Sequence, residues 1–107
     1  MTNIMTFRKI SEIAHSLGGS WRSKEIGRIQ GVGLKLFSVD PDGLPPESHS
    51  DYAEGLLMLD GQITLLMDGE HVTLSAGDFQ TIPKGCVHSI LPGGQGAFLL
   101  IDPEPPK

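Results

Sequence analysis

Hydrophobic positions follow two rhythms along the chain. In TFRKISEIAHSL, Phe7, Ile10, Ala14 and Leu17 fall on one face at helical spacing, and Gly18-Gly19 closes the segment. One short amphipathic helix is predicted there. From residue 32 the period changes, with Val32, Leu34 and Leu36 alternating against Gly33, Lys35 and Phe37, as in a strand. Short strand candidates then recur at 56–59, 62–67, 71–74, 79–82, 87–91 and 97–101. Between them stand turn signals: Asp60-Gly61, Asp68-Gly69, Ala76-Gly77-Asp78, Pro83-Lys84-Gly85 and the run PGGQG at 92–96. Such close spacing indicates an all-β sandwich or barrel. Pro41, Pro45 and Pro46 are expected to break the chain ahead of position 47, and EPPK at the C-terminus reads as a frayed tail. No internal repeat or second domain is visible, so 1–107 is expected to form one domain.

Composition narrows the partners. A chain of 107 residues, 38% hydrophobic and 20% charged, is an ordinary globular one. At this size dimerisation usefully hides leftover apolar surface, and a homodimer is the expectation. The formal net charge of -5 and the scatter of the eight cationic residues argue against nucleic acid or an anionic membrane as partner. Arg22, Lys24 and Arg28 form the longest cationic cluster, which a solvated strand edge explains more cheaply than an interaction patch. Cys86 is the sole cysteine, so no internal disulfide forms. No signal peptide or bilayer-length apolar run is seen, and a reduced, cytoplasmic setting is the default.

Residues able to bind a metal gather where two strands begin: Glu47, His49, Glu54 and His88. In an extended segment Glu47 and His49 share a face, while Glu54 aligns with Leu56 and Met58. His88 shares parity with Ile90. Inward ligands from separate strands then converge on an apolar interior, with Leu56, Met58 and Ile90 as pocket wall and Tyr52 near the mouth as a hydrogen-bonding candidate. Imidazole with carboxylate suits one divalent ion of Mn, Fe(II), Ni, Co or Zn.

In this pattern the chain resembles the cupin superfamily, whose two motifs map onto 47–61 and 77–92. The first, H-x-H-x4-E-x6-G, is met by Glu47, His49, Glu54 and Gly61. The second, G-x5-P-x-G-x2-H-x3-N, is met by Gly77, Pro83, Gly85, His88 and Pro92. The resemblance implies a double-stranded β-helix, a jelly-roll-like barrel with a short N-terminal helix, holding one divalent metal and binding a small molecule. It does not select a reaction, because the superfamily spans dioxygenases, isomerases, lyases, storage proteins and sensory domains. The alternative is a metal-free, non-enzymatic barrel that binds or senses a small ligand.

Two positions depart from the family pattern. Glu47 stands at the first histidine: it is a ligand, a neighbouring acid or base, or the mark of a lost ligand, and the residues leave the three readings open. Pro92 replaces an asparagine that is not a ligand. Plainer readings stand beside the functional ones: His49 and His88 as hydrogen-bonded barrel histidines, Glu54 as a salt-bridged mouth residue, Tyr52 packed on its own strand. His15 and His71 are expected at the surface, Met5, Met58 and Met67 in the core or at termini, and Cys86 as a small buried hydrophobe. The apolar wall suggests a small, partly hydrophobic ligand with oxygen donors, and the lack of a basic cluster near the motifs speaks against phosphorylated sugars.

Overall fold

The structure is a computed structural model that describes residues 4–18, 21–48 and 51–103. One helix, α1 (Ile10–Ser16), precedes eight strands: β1 (Ser23–Ile29), β2 (Val32–Ser38), β3 (Leu44–Glu47), β4 (Glu54–Met67), β5 (Glu70–Ser75), β6 (Phe79–Ile82), β7 (His88–Ile90) and β8 (Gln95–Asp102). All strand pairs are antiparallel, in the order β1-β2-β8-β4-β7-β3, with β5 and β6 also pairing β4. The result is an all-β, jelly-roll-like barrel.

β4 organises the barrel. Its first half lies between β6 and β8, and its second half pairs with β5 and β7, so one strand passes from one sheet to the other. Between them, the register with β8 slips at Leu59, leaving that residue as a bulge between Met58↔Phe98 and Asp60↔Ala97. An extra residue reverses the side-chain alternation. Leu56 and Met58 point inward before the bulge, and Ile63 and Leu65 after it, each no more than 2% exposed. The turn expected at Asp60-Gly61 is therefore a bend inside a continuous strand. Gly61 takes φ 75°, and a Cβ there would stand 2.1 Å from the Gln95 carbonyl oxygen; Gly96 opposite it meets the Asp60 carbonyl at 2.2 Å in the same way. Turn-like residues serve a close backbone crossing here. The nearby loop locks the bend, since the Gly77 amide donates to the Met58 carbonyl and the Met58 amide to the Asp78 carbonyl.

Two apolar layers result. Inside lie Val39, Leu56, Met58, Ile63, Leu65, Leu74, Ile90 and Phe98, with Phe37 stacked on Phe98 at 5.2 Å between centroids. Outside, α1 sets Ala14, Ile10 and Ile13 onto Leu36, Ala97 and Leu99. Leu36 and Phe37 thus face opposite layers, and the inward face of β2 is Phe37's, with Lys35, not the apolar stripe of Val32, Leu34 and Leu36.

Two further expectations are corrected, and one strand is added. Phe7 precedes the helix and instead lies under the Lys24 ammonium, 5.9 Å from the ring centroid. The segment 23–29, absent from the strand candidates although its cationic cluster reads as a solvated strand edge, is a full edge strand whose exposed side needs no apolar residues. Pro45 and Pro46 do not break the chain but sit within β3, an edge strand, where a missing amide costs no interior ladder bond. Gly19 and the tail at 104–107 lie outside the described residues.

The Gly61 crossing yields a first prediction. Gly61→Ala combines a left-handed φ with a backbone collision and is expected to cost about 2–4 kcal/mol, lowering the thermal midpoint by roughly 10 °C or more. Gly69→Ala, at φ 87° with open space around it, should cost only about 1 kcal/mol. Thermal melts of the two variants measure the difference.

Candidate metal centre

Each candidate ligand is held by a different element. Glu54 opens β4 and is buried, 7% exposed, on the inward parity of Leu56. A carboxylate in that place is costly unless a partner compensates it. His88 opens β7, and the tight corner of Pro83-Lys84-Gly85 before it returns the chain to β4, closed by the Cys86 amide donating to the Pro83 carbonyl. Glu47 ends β3 and pairs across the ladder with His88, its side chain 53% exposed. The barrel supplies two buried candidate ligands and one at the solvent edge.

Their donor atoms converge. His88 Nε2 lies 3.4 Å from Glu47 Oε1 and 3.7 Å from Glu54 Oε1, and one donor from each residue falls within 4.8 Å of the others. His88 Nδ1 lies 3.0 Å from the Cys86 carbonyl oxygen. A carbonyl only accepts, so Nδ1 carries the hydrogen and, in the neutral ring, Nε2 presents its lone pair to the two carboxylates. Three electron-rich donors facing one point call for a cation or a proton between them. Donors bonded at about 2.1 Å to one ion stand about 3.4 Å apart at the tetrahedral angle, so the observed separations fit a divalent ion of the kind that accepts mixed N and O ligands. The residues present fit a metal.

His49, expected as a further ligand, lies outside the described residues. Glu47, Glu54 and His88 are brought together as the motif spacing anticipates. Behind them opens a cavity of about 80 Å³, room for several waters or a molecule of a few heavy atoms. Leu56 and Ile90 line it, with Phe37, Leu65, Phe98 and Leu100. Met58 and Tyr52, also expected at the pocket, are not among its lining residues: Met58 sits deeper, 1% exposed within the core.

Sequence reasoning missed the polar pair beside the site. Lys35 Nζ donates to Asp102 Oδ2 at 2.9 Å, with the Asp102 side chain 7% exposed. Since Gly55 pairs with Ile101, Glu54 and Asp102 stand at the same level on adjacent strands. Lys35 therefore brings positive charge to the side of the barrel that holds two buried carboxylates. The signal was its shared parity with Phe37, which reads as inward only once β2 is oriented.

The remaining candidates behave as surface or core residues. His71 is exposed, and His15 reaches from α1 to both Asp60 carboxylate oxygens at 2.9 Å. The Leu59 bulge is what turns Asp60 toward the helix. Cys86 is buried, and its thiol points to the Val87 carbonyl. Burial first, and then the Asp68 carboxylate, push the Cys86 thiol above its ordinary pKa.

The family described as "Cupin domain" matches residues 35–102. Among solved structures, a cupin-2 domain containing protein from Shewanella frigidimarina superposes with a TM-score of 0.80 at 21% identity, over 92% of this chain and 93% of that one. A protein from Neisseria meningitidis gives 0.77 at 18% identity over 92% and 98%. A cupin superfamily protein from Desulfitobacterium hafniense gives 0.72 at 20% identity over 94% of each chain. At these identities the likeness carries the fold. No curated protein matches the chain, and among the described residues no helix is long and apolar enough to cross a membrane.

The Cys86 environment yields a second prediction. A raised thiol pKa means the folded chain holds this proton more tightly than the unfolded one. That contribution is whole below the unfolded thiol's pKa and is lost as pH rises through the folded one. Urea midpoints of the wild type should therefore fall more steeply than those of Cys86→Ala across the alkaline range. Parallel curves would remove Cys86 from the account.

Proposed function

The chain belongs to the cupin domain family, and from the donor set at its cavity mouth we propose that it binds one divalent metal and, at that metal, a small organic ligand with oxygen donors. The observation that carries this reading is the convergence of the His88 lone pair with the Glu47 and Glu54 carboxylates. Glu54 and His88 form the fixed part of the ligand set, His49 joins it on the motif pattern, and Glu47 is either a fourth ligand or the acid-base group beside it.

The protein's own part in the chemistry follows from where each group stands. The Cys86 carbonyl holds the His88 ring in the tautomer that ligates. Glu47, half exposed, is placed to exchange a proton between solvent and a ligand at the mouth. The apolar wall of Leu56, Ile90 and the stacked Phe37–Phe98 pair keeps water from the inner end and selects a ligand with a short hydrophobic part. When bound, a divalent cation supplies Lewis acidity there, polarising a ligand oxygen or lowering the pKa of a bound water. Among the described residues no Lys or Arg lines the cavity, which disfavours phosphorylated sugars. We also propose a single-domain, cytoplasmic homodimer as the working form, for which the free Cys86 and the small core are the support.

Elemental mass spectrometry tests the reading on untagged protein exposed in turn to Mn, Fe(II), Co, Ni and Zn. The wild type should retain near-stoichiometric metal, and His88→Ala and Glu54→Gln should each lower its affinity at least tenfold while keeping the fold by circular dichroism. Glu47→Gln separates its roles: lost metal makes it a ligand, and retained metal makes it the neighbouring acid or base. A wild type that retains none of the five would leave a metal-free, ligand-binding barrel in place of the metal reading.

A further inference from the structure

Charged side chains cross the inward side of the barrel in one row. The rows behind it are apolar, Phe37 with Phe98 and Met58, then Leu100 with Leu56. In the next row Gly33 pairs with Asp102, and Asp102 stands level with Glu54, one step beyond the Gly55↔Ile101 pair. Lys35, the ladder partner of Leu100, sends its ammonium forward to Asp102 Oδ2 at 2.9 Å. A second pair lies over Gly33. A Cβ at that position would stand 2.9 Å from Glu25 Oε1 and 3.3 Å from Arg28 Nη2, and Arg28 Nη2 donates to Glu25 Oε1 at 2.7 Å. Two ion pairs therefore stand in succession between the β1 edge and the metal centre, and Asp102 is the member on the strand next to Glu54.

Stability does not explain the inner pair. The Asp102 side chain is 7% and the Lys35 side chain 25% exposed, and the desolvation of two charges generally offsets their attraction. Apolar residues continuing the row of Leu56 and Leu100 would hold the barrel as well. What the pair supplies is a placed charge. Asp102 comes from β8, adjacent to β4, whereas Lys35 comes from β2 beyond it. Facing side chains on neighbouring strands lie about 5 Å apart at Cβ, and like charges so placed repel. A divalent ion on Glu54 relieves that repulsion, and in a water-poor interior the attraction of Asp102 for the ion is weakly screened.

We propose that Asp102 is a positioning residue of the metal centre: from outside the ligand set, its carboxylate strengthens the hold of Glu54 and His88 on a divalent ion, and Lys35 makes that buried charge tolerable. Among the described residues, the donors that meet within 4.8 Å of one another come from Glu47, Glu54 and His88, so Asp102 acts without ligating. The inference rests on the divalent-metal reading of the site. It adds to that site two residues, at 35 and 102, that lie outside both sequence motifs.

Dissociation constants of the full chain for Mn, Fe(II), Co, Ni and Zn, measured by calorimetric titration with the metal alone, test the proposal. For the ion held best, Asp102→Asn removes the outer negative charge and leaves the ammonium, and should weaken binding at least tenfold, within the range of about 10–100-fold that such supporting groups give. Lys35→Met combined with Asp102→Asn removes the stranded ammonium as well. That double variant should bind only about threefold more weakly than the wild type, a recovery that a merely structural role would not produce, since a second loss would then add to the first. Lys35→Arg keeps the charge and should stay within about twofold of the wild type. The double variant carries the test if Asp102→Asn does not fold by circular dichroism. A metal-binding wild type matched by Asp102→Asn or by the double variant, or a double variant no tighter than a folded Asp102→Asn, would overturn the role of Asp102 and leave the metal reading standing. A wild type that binds none of the five ions would overturn both.

Discussion

The structure turns on one backbone contact, the crossing of β4 over β8 at Gly61 and Gly96. Each glycine stands where a Cβ would enter the other strand's backbone. The crossing brings the two sheets together through a single strand, and the Leu59 bulge beside it switches which residues face inward. Without that switch, the parity that buries Glu54, Leu56 and Met58 would turn Ile63 and Leu65 to the outside. Cavity wall and ligand would not then share an interior. The same slip turns Asp60 toward α1, where His15 meets it.

Local spacing made most of the strands legible, together with the convergence of Glu47, Glu54 and His88. Short apolar runs bounded by Gly, Asp and Pro mark their own ends, and the motif distances encode which strand mouths meet. What was illegible depended on tertiary context. Asp60-Gly61 carries turn chemistry, yet its positive φ is used for a bend, and only the partner backbone distinguishes the two. β1 reads as polar because its burial is slight, and β3 reads as broken because proline at an edge costs little. The alternation of Val32, Leu34 and Leu36 against Gly33, Lys35 and Phe37 does not say which side is inward, and the more apolar-looking stripe of β2 is the one that leaves the barrel.

That inversion also explains why the apolar runs in β4 and β8 are nearly continuous. A barrel strand with one wet face alternates, while AFLLI at 97–101 does not. Its even-numbered residues, Phe98 and Leu100, belong to the interior. The odd-numbered ones need a cover as well: α1 provides it for Ala97 and Leu99, and Ile101 lies beyond its reach. The sequence thus reports two buried faces, although the fold of one chain accounts for one and part of another.

The three candidate ligand positions differ in how firmly the fold holds them, and this bears on the substitution at position 47. Glu54 and His88 sit on strands paired along their length with the barrel's main strand or its neighbours, and both are buried. Glu47 ends a four-residue edge strand whose two ladder contacts are Leu44↔Ile90 and Glu47↔His88, with two prolines between them that donate nothing. The start of that strand is pinned from outside the site, where Trp21 Nε1 donates to the Gly43 carbonyl at 3.1 Å and the indole packs on Phe98. A glutamate carries a negative charge and a more flexible stem than a histidine ring, and a half-exposed strand end accommodates both, since water solvates the carboxylate there. At Glu54 or His88 the same exchange would fall inside close-packed walls and displace them. Among the three candidate ligand positions that the structure describes, the one that departs from the motif is therefore the one that the barrel constrains least.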